Sequence, residues 1–585
     1  MTSAEQDTRY QRASNEVHNH NRDSRAATVL VVGAGPVGLT LACELAWRGV
    51  GVRIIDAQAE PSRHSKAIGV FPRTLELLEN QGVSDEMVQR GVPLDGIMVH
   101  AEGRRIAKID TKRINSHYNF ILTLEQSETE RILLNRLAQL GVTVERPVAL
   151  TVLENGNAGV EVVLKDHDAQ YERFAIAWVV GCDGAHSFVR KAINLPFDGE
   201  RYPEAFNLAD VVMSGEPTEA QHHILLFLTE SGPLFMAPLA QKHQYRLITD
   251  EPVGSAAIKQ DAPTLADIRQ WWSERVDYPP ARNVEILRAE WLSRFTTHRR
   301  MVPHLCDRRV LLAGDAAHIH SPAGAQGMNG GIQDAINLGW KLALVVQGRA
   351  GEALLNTYEE ERLPITHQVL RATHLFTRMA TLHRNALRLV RNRILGIVLN
   401  TPLQRQLVNV AAGLKVHYRR SSLVYTAQDD FVTRMIAQFG RQRTLRPGER
   451  APDVVFGQDR HRLYDLLRHP EHTLLIFTGA QPTANTLGQA DILATRLTRE
   501  YGTTIQSHII TVRQASHTIT NSAISTVWDA GRNVHQEYGM QKAGVCLVRP
   551  DRYVACRTET LDDASVCSAF EHVFAHIRDT VVTGA

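Results

Sequence analysis

The chain has 585 residues, well beyond the roughly 250 to 300 at which a single hydrophobic core stops growing, so we expect two or three domains. Lysine and arginine number 65 against 63 acidic residues, which leaves a formal net charge of +2. A chain this close to neutrality has no overall field that would recruit nucleic acid or an anionic membrane. The composition favours a small-molecule partner, and the length allows a large buried cofactor site.

The six cysteines show no CxxC pair and no metal-ligand spacing, so the sequence predicts neither a disulfide framework nor a metal site. We therefore expect a reducing, cytoplasmic environment. Residues 1–27 are polar and mixed in charge, which predicts a disordered tail and not a targeting peptide. No run approaches the roughly 18 apolar residues that span a bilayer, so we expect a soluble protein without a membrane partner.

The first predicted elements are a strand, a turn, a helix and a second strand. Thr28–Val32 is a short β-branched apolar run, Val37–Trp47 has helical apolar periodicity, and Val52–Ile55 is another apolar run. This order is the beginning of a βαβ unit.

The turn after the first strand reads Gly33-Ala34-Gly35-Pro36-Val37-Gly38, a GxGxxG pattern between a predicted strand and a predicted helix. Its glycines allow a tight turn, close approach of the backbone to a pyrophosphate, and close helix packing. The helix N-terminus offers N–H groups and its positive dipole end to phosphates. Asp56, followed by Ala57, ends the second strand 18 residues after Gly38, where a carboxylate can accept hydrogen bonds from ribose hydroxyls. The pattern predicts a dinucleotide site without distinguishing FAD from NAD.

Later elements suggest further domains. Strands are expected at Trp178–Val180 and Arg309–Ala313, and the periodicity from Leu354 to about Arg420 is helical. We expect this helical region to be a connector whose arginine-rich stretch, 384–393, presents a solvated face. Contact of that stretch with anionic lipid is the alternative. Beyond the turn-rich segment 446–452, strand-like and helical stretches alternate, which predicts a separate C-terminal α/β domain.

Two further motifs each follow a predicted strand. The first reads Gly181-Cys182-Asp183-Gly184-Ala185-His186-Ser187-Phe188-Val189-Arg190, and the second reads Gly314-Asp315-Ala316-Ala317-His318. In this order, and with the N-terminal fingerprint, they resemble the motif set of class A FAD-dependent aromatic monooxygenases, the para-hydroxybenzoate hydroxylase group. The stretch from Gly314 to Leu342 is most similar to enzymes of the phenol hydroxylase, pentachlorophenol monooxygenase and polyketide hydroxylase type. The resemblance extends over nearly the whole chain after residue 27.

The resemblance implies roles for individual residues. Asp315 would accept hydrogen bonds from the ribityl chain of FAD, Gln126 would bind near the same chain, and Arg63 would lie along the diphosphate. Asp183 and Arg190 would belong to a turn that serves both FAD and the nicotinamide cofactor, with Asp183 fixing the turn. The glycine-rich loop 324–331 would bring backbone donors to the flavin edge that becomes anionic on reduction. The full predicted cofactor-binding set is Gly33, Gly35, Pro36, Val37, Gly38, Asp56, Ala57, Arg63, Gln126, Asp183, Gly184, Arg190, Gly314, Asp315, Pro322, Gly327, Met328 and Asn329.

The implied activity is hydroxylation of a phenolic ring. NADPH or NADH would reduce FAD, dioxygen would add to flavin C4a, and the hydroperoxide so formed would transfer oxygen to a small aromatic substrate. Two alternatives stay open: a tailoring hydroxylase of a polycyclic aromatic such as a polyketide, and a non-catalytic FAD-binding interaction protein. No catalytic residue is identified, because His117, Tyr118 and His298 are base candidates by residue type alone.

The resemblance implies an α/β and α+β fold. A Rossmann-like FAD-binding domain of the GR2 type would occupy 28–200 and 300–370, with a mixed-sheet substrate domain inserted at 201–299. A helical connector at 371–445 and a thioredoxin-like domain at 446–585 would follow. Without paired cysteines the last domain cannot exchange dithiols, so we expect a structural or dimer-contact role, and a homodimer is compatible with this. Residues of the inserted domain that fit a sheet covering an aromatic ligand, or equally its core, are Phe206, Phe227, Phe235, Met236, Pro238, Tyr245 and Arg246.

Overall fold

The computed structural model describes residues 27–62, 67–215, 217, 219–251, 262–319, 326–380, 385–426, 445–457, 459–513 and 524–578. Two compact units account for the chain: Met1–Gly339 with Arg362–Gly413, and Trp340–Glu361 with Leu414–Ala585. Among the described residues, no helix combines the length and apolar character needed to cross a bilayer. The predicted tail lies almost wholly outside these residues, and the predicted domain limits stay predictions.

The described strands of the first unit form four β-sheets, of which a central sheet and a large mixed sheet position the site. Its strands are β1 (Val29–Val32), β2 (Val52–Ile55), β3 (Gly69–Val70), β4 (Val92–Leu94), β5 (Gly96–Ala101), β6 (Arg104–Asp110), β7 (Ile121–Thr123), β8 (Val144–Glu145), β9 (Ala149–Asn155), β10 (Val160–Lys165), β11 (Tyr171–Ile176), β12 (Trp178–Gly181), β13 (Asp198–Met213), β14 (His223–Thr229), β15 (Gly232–Pro238), β16 (Gln244–Glu251), β17 (Ile286–Met301), β18 (Cys306–Asp307), β19 (Val310–Leu312) and β20 (His318–Ile319). Its helices are α1 (Pro36–Trp47), α2 (Pro72–Leu78), α3 (Ser84–Arg90), α4 (Gln126–Gln139), α5 (Phe188–Ala192), α6 (Leu265–Arg275), α7 (Pro279–Arg282), α8 (Gln326–Val346), α9 (Asn356–Ala380), α10 (Asn385–Leu399) and α11 (Leu403–Ala411), of which α8 and α9 extend into the segment Trp340–Glu361.

The central sheet has the order β18-β19-β12-β1-β2-β8, and β1 pairs in parallel with both β12 and β2. Strands β1, β12 and β19 are buried along their whole length, as expected for a parallel sheet covered on both faces. Because these three strands are parallel, their carboxyl ends lie at one edge of the sheet. Each of the three predicted motifs follows one of these ends.

The large mixed sheet has the order β20-β17-β13-β16-β15-β14-β5-β6. Its two faces pack against different clusters. One face, which includes Phe227, Met236 and Tyr245, packs with Ile268 and Trp272 of α6. The opposite face, which we call the front face, contributes to a smaller cluster formed by Ile68, Leu94, Ile224, Ala237 and Leu239, with Phe235 packed against it.

The second unit contains β21 (Val455–Phe456), β22 (His461–Arg462), β23 (His472–Phe477), β24 (Ile505–Thr511), β25 (Ile524–Trp528), β26 (Gly544–Val548), β27 (Val554–Thr558), α12 (Ala484–Tyr501), α13 (Asn533–Glu537) and α14 (Asp563–Arg578). Its sheet has the order β25-β24-β23-β26-β27, in which β23, β24 and β25 are parallel and β26 and β27 antiparallel. A parallel βαβ segment followed by an antiparallel hairpin and a helix agrees with the predicted thioredoxin-like fold. The predicted fold class is confirmed.

Helix α10 corrects one expectation. Two of its polar side chains are buried: the Arg391 guanidinium donates to the carbonyl of Met379 at 2.9 Å, and the Asn392 amide donates to the Glu102 carboxylate at 3.2 Å. The apolar side, which includes Ile394, is exposed to solvent. Arg393 is exposed, so the expectation of a solvated face fails only at Arg391 and Asn392, whose side chains hydrogen bonds hold inside.

Candidate active site

The glycine turn between β1 and α1 is shaped by the backbone around it. Gly33 has φ +101°, and a Cβ there would lie 2.5 Å from the carbonyl oxygen of Cys182. A Cβ on Gly38 would overlap the carbonyl oxygen of Gly33. Both positions therefore require glycine for the chain to pack, since no larger residue fits.

Gly35 is different, because a Cβ there would meet no protein atom within 4 Å. It is the N-cap of α1, no side chain caps the helix, and Pro36 is the first helical residue. An uncapped helix N-terminus beside open space suits a phosphate group, which accepts hydrogen bonds from first-turn amides. The turn therefore fits the pyrophosphate of a dinucleotide such as FAD.

Asp56 lies at the end of β2, beside this turn. Its carboxylate accepts hydrogen bonds from the amides of Ala34 and Gln58, each at 2.8 Å. Arg146, which the sequence interpretation missed, lies 3.5 Å from the same carboxylate and donates to the carbonyl of Ala34 at 3.3 Å. Arg146 follows β8, the neighbour of β2 in the parallel sheet, so strand adjacency is the signal that could have identified it.

Gln126 is the first residue of α4, and Ala57 is exposed next to Asp56. The Gln126 side-chain amide donates to the Glu130 carboxylate at 2.8 Å. The Gln126 backbone N–H donates to the carbonyl of Ala67 at 3.2 Å. Burial raises the pKa of Glu130, with a smaller contribution from the nearby charge of Asp56. The beginning of α4 therefore lies close to the acidic end of β2.

The second turn follows β12 and is organised by Asp183. Its carboxylate accepts hydrogen bonds from the Ser187 hydroxyl at 2.5 Å and from the amides of Phe188 and Val189 at 2.6 and 3.1 Å. Burial raises the pKa of Asp183, and these hydrogen bonds oppose the shift. Gly184 has φ +76°, which this tight turn requires. All these carboxylate contacts lie within the turn.

Arg190 links the second turn to the third. Its guanidinium donates to the carbonyl of Ala185 at 3.0 Å and to the carbonyl of Ala316 at 2.9 Å, and it lies 3.9 Å from the ring centre of Phe197. Burial lowers its pKa. The side chain thus holds two loop segments together.

The third turn follows β19 and begins with Gly314, whose φ is +62°. A Cβ on Gly314 would lie 2.8 Å from Cγ2 of Val37, and a Cβ on Gly331 would lie 2.5 Å from the same atom. Val37 therefore packs directly against both glycines, which brings α1, the third turn and α8 together. Asp315 is exposed, although its neighbours Gly314 and Ala316 are buried, so its side chain is accessible to a ligand.

Behind this turn lies a buried charge network centred on Asp334 of α8. Its carboxylate accepts from the Gly314 amide at 3.1 Å, lies 2.7 Å from Nε2 of His318, and accepts from Nε of Arg362 at 2.7 Å. Burial alone would raise the pKa of Asp334, but Arg362 and His318 lower it to about 2. Arg362 also donates to the carbonyl of Gly330 at 3.2 Å. A single ionised carboxylate therefore fixes the third turn relative to the beginning of α8.

The segment 324–331 was expected to be a loop before the helix, but α8 begins at Gln326, so the predicted residues Gly327, Met328 and Asn329 lie in its first turns. Met328 and Asn329 are buried. The Asn329 side chain accepts from the Phe71 amide at 2.9 Å and donates to the carbonyl of Gly69 at 2.8 Å. Asn329 therefore positions the segment before α2. The predicted residues Arg63 and Pro322 lie outside the described residues.

Of the base candidates, the Tyr118 hydroxyl is buried and donates to the Glu79 carboxylate at 2.8 Å. His117 is exposed, and His298 belongs to β17. The predicted site residues other than Arg63 and Pro322 lie in loops and helix ends around the carboxyl edge of the central sheet, where open α/β sheets bind their ligands.

These features define a dinucleotide-binding fold of the FAD type, with an attached mixed sheet. The FAD binding domain family matches residues 26–373, and the family described as aromatic-ring hydroxylase, C-terminal, matches residues 444–576. The chain belongs to the FAD-dependent aromatic-ring monooxygenases. The predicted family, the FAD cofactor and the monooxygenase class are confirmed.

Two curated relatives match nearly the whole chain. The 6-methylpretetramide 4-monooxygenase of Streptomyces rimosus is 34% identical over 94% of this chain and 94% of its own length. The pentachlorophenol 4-monooxygenase of Sphingobium chlorophenolicum is 30% identical over 91% of this chain and 94% of its own length.

Solved structures agree with this assignment. An anhydrotetracycline hydroxylase from Streptomyces rimosus superposes with a TM-score of 0.68 at 26% identity, covering 93% of this chain and 98% of its own. An aklavinone-11 hydroxylase in complex with FAD and aklavinone gives a TM-score of 0.71 at 24% identity, covering 96% and 100%, and supports the fold.

Proposed function

We propose that this monooxygenase hydroxylates an electron-rich phenolic ring, with NADPH or NADH and dioxygen as co-substrates. The observation that carries the proposal is the meeting of the three strand-end turns and the beginning of α8, where Val37 packs against both Gly314 and Gly331. FAD bound at this edge would supply electron transfer from the nicotinamide and activation of dioxygen.

Within this proposal, different residues at the carboxyl edge of the central sheet bind different parts of FAD. The first turn of α1 beside Gly35 holds the pyrophosphate, and Asp56, with Ala57, receives the ribose. The exposed Asp315 accepts hydrogen bonds from the ribityl hydroxyls. Backbone donors at the beginning of α8, kept in place by Asp334, would hold the flavin edge and offer hydrogen bonds to the negative charge it gains on reduction.

The front face of the large sheet is the proposed substrate surface. Ile68, in its apolar cluster, precedes Gly69, whose carbonyl accepts from Asn329 at the beginning of α8. The front face therefore adjoins the proposed flavin edge. Its apolar side chains, including the half-buried Phe235, exclude water from the reacting atoms and pack against an aromatic ring.

A paired cation lies on the same face. Arg246 pairs across the sheet with Ala237 of the front-face cluster, whereas its neighbours Tyr245 and Leu247 point to the α6 side. Its guanidinium donates to both carboxylate oxygens of Asp210 at 2.7 Å and lies 5.3 Å from the ring centre of Trp291. In our proposal this neutralised pair holds the Trp291 ring in place beside the substrate.

A polycyclic phenol is the second candidate substrate. The relatives named for 6-methylpretetramide and anhydrotetracycline favour it, whereas the relative named for pentachlorophenol favours a single ring. The two candidates share one chemistry, oxygen transfer to an activated ring carbon, and differ in the size of the surface that the ligand covers.

The test is the oxidation of NADH and of NADPH by the FAD-loaded enzyme in the presence of single-ring and multi-ring phenols. A substrate must stimulate oxidation and yield a product with one oxygen atom from labelled dioxygen. Stimulation without incorporation would indicate uncoupled oxidase behaviour, and no stimulation by any phenol would favour a non-catalytic FAD-binding protein. Phe235→Ala should raise KM for the phenol, whereas Phe227→Leu, on the α6 side of the sheet, should leave KM unchanged.

A further inference from the structure

Among the described residues, helices α9, α10 and α11 carry most of the large apolar side chains that are exposed. Of the fourteen large hydrophobic residues exposed among the described residues, ten lie between 375 and 410. They are Leu375, Met379, Leu387, Leu389, Val390, Ile394, Ile397, Leu403, Leu407 and Val410. Scattered exposed apolar residues are ordinary, but a concentration of this kind marks an interaction surface.

Helix α10 packs one part of its apolar surface on the sheet and presents another to solvent. Leu395 and Leu399 pack toward Val99 and Ala107 of β5 and β6, and a Cβ on Gly396 would lie 3.4 Å from the carbonyl oxygen of Ile106. These contacts and the buried hydrogen bonds of Arg391 and Asn392 determine which side faces the sheet. Consequently an apolar stripe of residues spaced three and four apart faces solvent. It consists of Leu387, Val390, Ile394 and Ile397, whose side chains are 49 to 63% exposed.

Helix α11 repeats the arrangement. The Gln404 side chain donates to the carbonyl of Lys108 in β6, whereas Leu403, Leu407 and Val410 are 46 to 59% exposed. Two successive helices on the same strand therefore present apolar stripes to solvent. We call the exposed sides of α10 and α11 the helical apron.

The segment that contains α10 and α11 itself carries charge of one sign. Residues 362–413 contain eight arginines and no aspartate or glutamate, although the whole chain has a net charge of only +2. Arg362 and Arg391 are buried, but Arg371, Arg378, Arg393 and Arg405 are exposed. A cationic surface with a central apolar stripe matches the interfacial region of a membrane that contains anionic lipids.

A basic groove adjoins the beginning of α11. It has a volume of about 740 Å³ and is lined by Lys112, Arg113, Ile114, Asn115, Asn400, Thr401, Pro402 and Arg405. Lys112 lies 3.6 Å from Asp95, and Arg113 lies 3.9 Å from Asp110. Three cations and two side-chain amides in one groove suit the phosphate of a lipid headgroup.

We propose that the helical apron docks the protein on the surface of an anionic phospholipid bilayer, with the apolar stripe in the interface and the arginines on the lipid phosphates. This departs from the expectation of no membrane partner that the net charge suggested. A second copy of the chain is the less favourable occupant, because two-fold self-association would bring two cationic aprons together. The docking is peripheral and involves the sides of the helices.

The test is flotation of the purified, FAD-loaded full chain with vesicles of phosphatidylcholine alone and of phosphatidylcholine mixed equally with phosphatidylglycerol. The protein should float only with the anionic vesicles, and salt should weaken the binding. Ile394→Ser with Ile397→Ser should lower the partition coefficient about tenfold. Arg393→Gln and Arg405→Gln should each lower it about fivefold.

Matched controls come from α12, where Ile492 is 72% exposed and Arg499 is also exposed. Ile492→Ser and Arg499→Gln should bind vesicles like the unmodified chain. Three results would overturn the proposal: no binding to anionic vesicles at low salt, binding that the apron variants do not weaken, or apron variants that change only the oligomeric state measured by light scattering. All variants should retain bound flavin and the melting temperature of the parent, which excludes unfolding as the cause of lost binding.

Discussion

Asp334 accepts a hydrogen bond from the backbone amide of Gly314, with 3.1 Å between N and Oδ2. The two residues are 20 positions apart, one in α8 and the other in the turn after β19. Because Arg362 and His318 also bind this carboxylate, its negative charge is balanced in a site where water does not reach it. The geometry of the proposed flavin edge thus depends on a side chain behind it.

Asp334→Asn should weaken both the fold and FAD retention. The substitution removes the charge that Arg362 and His318 face, and a buried cation without its partner costs about 3 kcal/mol. Urea unfolding followed by flavin release should show this loss, together with a higher dissociation constant for FAD. Glu290→Gln is the control, because Glu290 forms an exposed pair with Arg288 and should change stability by less than about 0.5 kcal/mol. Equal effects of the two substitutions would contradict the role given to Asp334.

Asp334 should also contribute to acid sensitivity. Its pKa in the folded protein is about 2, below the unfolded value of about 3.9. The stabilisation is therefore present above the unfolded pKa and is lost as the pH falls toward 2. Between about pH 5 and about pH 3, the parent should lose about 1 kcal/mol more stability than Asp334→Asn. Parallel pH profiles of urea unfolding for the two proteins would argue against this linkage.

Gly35→Ala should separate cofactor binding from folding. The backbone at Gly35 has φ −77°, which alanine adopts readily, and the new methyl group would meet no protein atom within 4 Å. We expect the apoprotein to lose no more than about 1 kcal/mol, while FAD binds at least tenfold more weakly because the methyl group occupies the space of the pyrophosphate. Fluorescence titration of the apoprotein with FAD measures the binding.

Gly38→Ala is the matched comparison. Its methyl group would overlap the carbonyl oxygen of Gly33, so the apoprotein itself should be destabilised by about 1 to 3 kcal/mol or more. If Gly35→Ala bound FAD as tightly as the parent, the open space beside Gly35 would not be the pyrophosphate site.

The local elements of this site could be predicted from the sequence because they are short and bounded by strong signals. The strand expected at Thr28–Val32 is Val29–Val32, and the strand expected at Val52–Ile55 has those limits. A short apolar β-branched run that ends in glycine or aspartate has few interpretations other than a buried parallel strand. The identity of the cofactor and the order of the domains were predicted from the resemblance to class A FAD-dependent monooxygenases.

Long-range contacts could not be predicted in the same way. Arg146 lies 90 residues after Asp56, and Arg362 lies 28 residues after Asp334, and neither belongs to a local motif. The burial of Arg391 and Asn392 in α10 was not predicted for a related reason. An amphipathic pattern gives the position of the apolar stripe, but the partners of Arg391 and Asn392 decide which side is buried.

Glu361→Gln should strongly destabilise the second unit. The Glu361 carboxylate accepts from Nζ of Lys341 and from Nη2 of Arg549, each at 2.8 Å, and all three side chains are buried. Removing the charge leaves two cations close together, of which Arg549 still pairs with Asp551, at a cost of about 3 to 5 kcal/mol. Glu360→Gln is the neighbouring control, because the exposed Glu360 binds only Ser422 among the described contacts and should cost less than about 1 kcal/mol.

The pH dependence of the Glu361→Gln variant distinguishes lost charge from lost packing. Burial lowers the pKa of Lys341 to about 8 even though Glu361 opposes the shift, and without Glu361 the pKa should fall further. In the variant, the pKa of Lys341 in the folded state lies well below its unfolded value of about 10.4. The free energy of unfolding therefore rises with pH between these two pKa values. The variant should gain stability between about pH 6 and about pH 8, a range in which the parent changes little. A variant with uniformly lower stability across this range would instead indicate that Glu361 acts through packing alone.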